Sequence, residues 1–155
     1  MADKEMDSRD RREGVSPELD LMSTTLMGDA FDALARGEEL NVLLVMQDDD
    51  GNLASYEFAD DGPQACLDAA RDKVVRTVDG NGDSSAGLAL PVRYAIAYEA
   101  SIADETGAYL PAVLLEFGER GYHSYSAYSF VDGVGEGDGF RWTDPAPAGE
   151  LDPLI

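Results

Sequence analysis

The chain has 155 residues, of which 32 are Asp or Glu and 11 are Lys or Arg, giving a formal net charge of −21. A chain of this length fits one ordinary domain and buries roughly 68–70% of the surface its unfolded form exposes, so no disulfide or metal staple is required. The negative field repels phosphate backbones and the chain lacks clusters of Lys and Arg to release counterions, which excludes direct binding to DNA or RNA.

From Met1 to Gly14 the sequence is charged throughout, with four positive and five negative residues, and it reads as a solvated, disordered arm (residues 1–14). It has no apolar stretch of the kind a secretory signal needs, and the strongly apolar run Val42 to Met46 is five residues long, too short for a membrane span. A solitary Cys66 cannot form an internal bridge. Together these point to the cytoplasm, with no membrane partner.

Ser16-Pro17-Glu18 is a helix start, with serine as N-cap and proline at the first helical position, where its missing donor is harmless. A helix is expected from Pro17 to about Arg36, its buried stripe formed by Leu19, Met22, Leu26, Ala30, Ala33 and Leu34, with Gly37 as the left-handed cap. Gly28 and Ser23-Thr24-Thr25 weaken it locally. Leu40 to Gln47 is apolar on both faces and is expected as a central strand. Asp48-Asp49-Asp50-Gly51-Asn52 then closes a hairpin onto Leu53 to Phe58, an edge strand with one wet face.

Asp60-Asp61-Gly62-Pro63 begins a second helix with the stripe Leu67, Ala70, Val74 and Val78, and a Gly/Ser/Asp loop follows from Asp79 to Pro91. Val92 to Ile102, Tyr109 to Phe117 and Tyr122 to Val131 are strand-like and joined by short turns, which makes them an antiparallel meander. Residues 133–155, rich in Gly and Pro, are expected as an acidic loop or tail pinned by Phe140 and Trp142. The expected fold is α+β: a single domain over residues 15–132, in the order α-β-β-α-β-β-β, with a mainly antiparallel five-stranded sheet and two helices. From Ser16 to Val131 this order resembles the profilin-like architecture of roadblock and longin domains, in which a five-stranded antiparallel sheet carries helices across its faces. The resemblance lies in element order alone, and the third, C-terminal helix common in roadblock domains has no counterpart.

Candidate sites follow from residue chemistry. Asp79, Asn81 and Asp83 have the spacing with which an EF-hand loop begins, but the sixth position is Ser84 and the twelfth is Leu90, where that loop needs Gly and a bidentate Glu. Asp48, Asp49 and Asp50 could share a cation, although a hairpin makes their side chains diverge toward solvent. With one histidine and one cysteine neither a His-rich mononuclear zinc site nor a zinc finger is possible, and no cofactor is implied. Glu116, Glu119 and His123, close in sequence across a turn, would permit an acid–base pair if the turn folds them together. Tyr94, Tyr98, Tyr125 and Tyr128 lie on strands and could give the sheet a surface apolar in body and hydrogen-bonding at its tips, suited to a ligand or an interface.

No nucleophile elbow or phosphate cradle is present. The acidic residues are scattered through every expected loop, which reads as a compositional bias more than mimicry of nucleic acid. The leading functional expectation is a small acidic interaction protein without catalysis, using its sheet for an unknown protein partner or for itself as a homodimer. The alternatives are a small-molecule enzyme based on the Glu, His and Tyr set, and an acidic decoy for a basic protein.

Overall fold

A computed structural model describes residues 11–59 and 62–155. Most of the expected arm, and the Asp60-Asp61 pair placed at a helix start, lie outside the described residues.

Helix α1 (Pro17–Ala35) begins as its sequence dictates: the Ser16 hydroxyl accepts from the Leu19 amide at 3.0 Å, and Pro17 takes the first position. It runs unbroken through Gly28 and buries Leu19, Met22, Leu26, Ala30 and Leu34 on one side. Gly37, at φ +81°, turns the chain away. Strands β1 (Val42–Asp48) and β2 (Leu53–Phe58) form the expected hairpin, and helix α2 (Pro63–Asp79) follows. The meander is β3 (Pro91–Ala103), β4 (Tyr109–Glu119) and β5 (Ser124–Asp132).

The class is mixed α+β and the sheet antiparallel, but the sheet has seven strands where five were expected. The difference lies in residues 133–155. Arg141–Trp142 (β6) pairs with the end of β5, and Ala146–Leu151 (β7) pairs with its start, so the expected tail extends the same sheet. Pro147 and Gly149 disguise β7 in the sequence. Both are tolerated because β7 is an edge strand, with a register shift against β5 between Ser126 and Ala127.

The strand path is β2-β1-β3-β4-β5, with β6 and β7 both against β5. Side chains alternate between two faces. Leu43, Val45, Ala95, Ala97, Val113 and Leu115 pack under α1, whereas Leu44, Met46, Ala54, Tyr94 and Ile96 pack under α2 with Leu67, Ala70 and Val74. Phe31 stacks on Trp142 with ring centroids 5.0 Å apart, and the Gly135 amide donates to the Leu34 carbonyl at 2.8 Å, so the C-terminal segment is tied to the end of α1.

Two polar contacts set how the layers sit. The Ser16 hydroxyl that caps α1 also donates to the buried Glu119 carboxylate at 2.5 Å, and Arg93 holds the other oxygen at 3.1 Å while reaching Gln47 at 2.6 Å. The start of α1 is thereby fastened to β4, β3 and β1. On the opposite face Gly118 makes room for Ser124 and Tyr94: an added Cβ would overlap the Ser124 hydroxyl and lie 2.8 Å from Tyr94 Cε1.

Ser16→Ala removes both the cap and a donor to a buried carboxylate, and should lower unfolding free energy by about 1–3 kcal/mol in urea denaturation. Gly118→Ala, which forces Ser124 and Tyr94 aside, should destabilise by about 1–3 kcal/mol with no change in the denaturant slope.

Candidate functional site

Strand parity decides which of the expected site residues can meet. Glu116 and Glu119 are three apart on β4 and therefore face opposite sides of the sheet. Glu116, only 3% exposed, points to the α2 side, where Arg71 grips both of its oxygens in a bidentate pair and the Tyr98 hydroxyl donates to it at 2.8 Å. Glu119 points to the α1 side and is consumed by Ser16 and Arg93. His123 lies in the turn before β5, where its amide donates to the Arg12 carbonyl and its Nδ1 sits 3.1 Å from a Glu150 oxygen of β7. The three residues thus have three separate sets of partners.

The tyrosines divide by the same parity. Tyr94, Tyr98 and Tyr128 share the α2 face with Glu116, while Tyr125 pairs with Phe117 on the α1 face and takes the Gly14 amide on its hydroxyl at 3.1 Å. Tyr94 is buried beneath the α2 side of the sheet, and burial pushes its phenol up to about 12. Tyr98 is raised as well, first by burial and then by its bond to the Glu116 carboxylate. Tyr128 meets Phe130 edge-on at 5.2 Å.

Asp79 ends α2, Asn81 takes φ +60°, and the Asp83 carboxylate accepts from Ser85 and Tyr56, each at 2.7 Å, with the Lys73 ammonium at 3.5 Å. Asp83 is therefore committed to protein donors, one of them cationic. Asp48 is only 1% exposed: its oxygens accept from the amides of Asp50, Asn52 and Ala89 and from the Asn52 side chain, all at 2.9–3.0 Å. Those donors, the Ala89 amide foremost, hold its carboxyl below the usual range. It serves as the buried post on which the β1–β2 turn and the Asp79–Pro91 loop are hung. Among the described residues no group of three His, Cys, Asp or Glu side chains is placed to hold a metal ion.

The feature that residue chemistry did not single out lies at the sheet edge. A groove runs between α1 and the β1–β2 hairpin, lined at one end by Leu21, Met22, Val45 and Leu53 and enclosing about 400 Å³. A smaller recess of about 260 Å³ continues it past Leu26, Asp29 and Ser55 to Leu43 and Glu57. Leu21 is 68% exposed and Leu53 56%, so apolar surface remains open to water.

Beside the groove, β2 has no strand on its far side among the described residues. The Asp48 amide donates to the Asn52 carbonyl at 3.1 Å, which sets the phase of the hairpin ladder. In that phase Ala54, Tyr56 and Phe58 spend their backbone groups on β1. The N–H and C=O groups of Leu53, Ser55 and Glu57 point outward, and the same three side chains are the exposed ones on the groove face. The Tyr56 bond to Asp83 anchors the strand from behind.

Comparison with models of protein families, with curated protein sequences and with solved structures returns no match.

Two titrations follow from this geometry. Asp83 is held down at about 2, mainly by Ser85 and then Tyr56. Its partners therefore stabilise the fold fully above about pH 4, and that contribution is lost as pH falls toward 2. The stability gap between the wild type and Asp83→Asn should close over that window in acid-unfolding curves. Tyr56 is pushed up to about 12, first by burial and then by Asp83. Asp83→Asn should bring one phenol back part of the way toward its ordinary value in an absorbance titration.

Proposed function

We propose that this chain is a protein-interaction module that receives an extended segment of a partner against the free edge of β2. The observation that carries the reading is the coincidence of two unmet needs on one line of residues. Leu53, Ser55 and Glu57 present unpaired backbone donors and acceptors, and their side chains border an apolar groove. An added strand would satisfy the first and cover the second. Natural sheet edges are usually blunted by Pro, Lys or a bulge. The β7 edge carries Pro147 and a register shift, whereas β2 carries none of these.

The acid–base reading has less support, because Glu116, Glu119 and His123 are engaged separately. The single buried cysteine fits a reducing cytoplasm. No helix of the described residues is long and apolar enough to cross a membrane.

Proline at position 55 tests the reading. The Ser55 amide points away from β1, so Ser55→Pro leaves the hairpin ladder intact while removing an outward donor. Peptides selected from a displayed random library on the wild-type protein should lose binding to Ser55→Pro, and the variant should retain the wild-type melting temperature within a few degrees. Selected peptides that bind both proteins equally would overturn the proposal, as would a library that yields no binder.

A further inference from the structure

The groove is graded along its length, and the gradient specifies what it takes. At the Leu53 end the apolar walls are Leu21, Met22 and Val45, joined there by Glu18 and Gln47. Leu26, Asp29 and Ser55 line both parts, Leu43 and Glu57 line only the smaller recess, and no Lys or Arg lines either. Ser55 lies between. A strand laid against β2 would place every second side chain opposite Leu53, Ser55 and Glu57 on the groove face. The residues between them would fall beside Ala54, Tyr56 and Phe58.

We infer that the occupant is an extended segment with a large apolar side chain opposite Leu53, a small or apolar one opposite Ser55, and a Lys or Arg opposite Glu57 and Asp29. This rests on the edge-strand reading above and adds the chemistry of the ligand. Complementary charge carries the last position: an ammonium or guanidinium there meets the Asp29 carboxylate, that of Glu57, which also accepts from the Asn41 side chain, and the field of a chain with net charge −21.

The same gradient argues against a second copy of this chain. Two β2 strands related by a twofold axis can align all three outward residues only with Ser55 opposite Ser55, which sets Leu53 against Glu57 at both ends. Each apolar end would face a carboxylate, and two chains of charge −21 would be brought together. A cationic partner segment has neither fault.

The test uses fluorescein-labelled peptides that alternate threonine with leucine, valine and lysine in that order, together with the reversed sequence, so that both strand directions are sampled. Matched peptides carry glutamate in place of lysine. Fluorescence anisotropy at low salt should show one lysine peptide binding the full chain about five- to tenfold more tightly than its glutamate counterpart. The preference should shrink as salt rises and invert with Glu57→Lys. Ser55→Pro should abolish binding of every peptide. If lysine and glutamate peptides bind alike and Ser55→Pro abolishes both, the edge-strand reading survives and the cationic occupant is wrong. If the lysine peptide binds Ser55→Pro as well as wild type, the edge-strand reading itself fails. Sedimentation of the wild-type chain as a dimer that Ser55→Pro dissolves would assign the edge to a second copy and overturn the inference, and so would the absence of binding by any of the four peptides.

Discussion

A helix is about 10 Å across and neighbouring strands are about 4.8 Å apart, so one helix laid along a sheet shields two or three strands. This chain places one helix on each face of a sheet whose hydrogen-bonded path is six strands wide, with β7 also against β5. Helix α1 lies over β3, β4 and β1, and α2 over β1, β3 and β2. Only the middle of the sheet is covered twice, which is why β1 and the first half of β3 read as nearly continuous apolar runs. Towards β2 the α1 layer runs out, and Leu53, Ser55 and Glu57 are left in the open beside a helix flank that still carries Leu21. The groove is the geometric remainder of this mismatch in width.

The carboxylates buried among the described residues lie where layers must be registered. Glu119 and Arg93 fasten the start of α1, Glu116 and Arg71 fasten α2 to the far half of the sheet, and Asp48 fastens the hairpin turn to the loop after α2. Each of these carboxylates is satisfied by donors within the protein, as burial of a charge demands. In a chain with so many acids, near-complete burial is what distinguishes those three among the described residues; Asp83 is paired as well but only half-buried.

Much of the fold was legible because it was written locally. Ser16-Pro17 marks the start of α1, and the alternation of Leu53 to Phe58 marks β2 as an edge strand with one wet face, both as observed. Strand β7 was hidden because Pro147 and Gly149 deplete its strand character, and its existence depends on pairing to β5 across the chain. Asp48 looked like a turn residue among three equivalent aspartates; its burial depends on the Ala89 amide, 41 residues away. For the candidate site the separation of Glu116 from Glu119 was available in principle, since an odd spacing on a strand places two residues on opposite faces, but only if β4 is known to continue to Glu119. The groove was not legible at all, because Leu21, Met22 and Leu53 belong to different elements and only packing brings them to one surface.

The hydrogen bond from Ser16 to Glu119 has a further consequence. By pinning the first turn of α1 to the sheet it holds one wall of the groove, while the anchored turn at Asp48 and the Tyr56–Asp83 contact hold the other. On the proposed reading, walls held by these contacts before encounter leave most of the ordering penalty to the incoming segment. Affinity should then be governed by how stiff the incoming segment already is. On that reading, a strand presented by a hairpin or a closed ring would outbind the same residues on a loose terminus, because less of its ordering entropy remains to be lost.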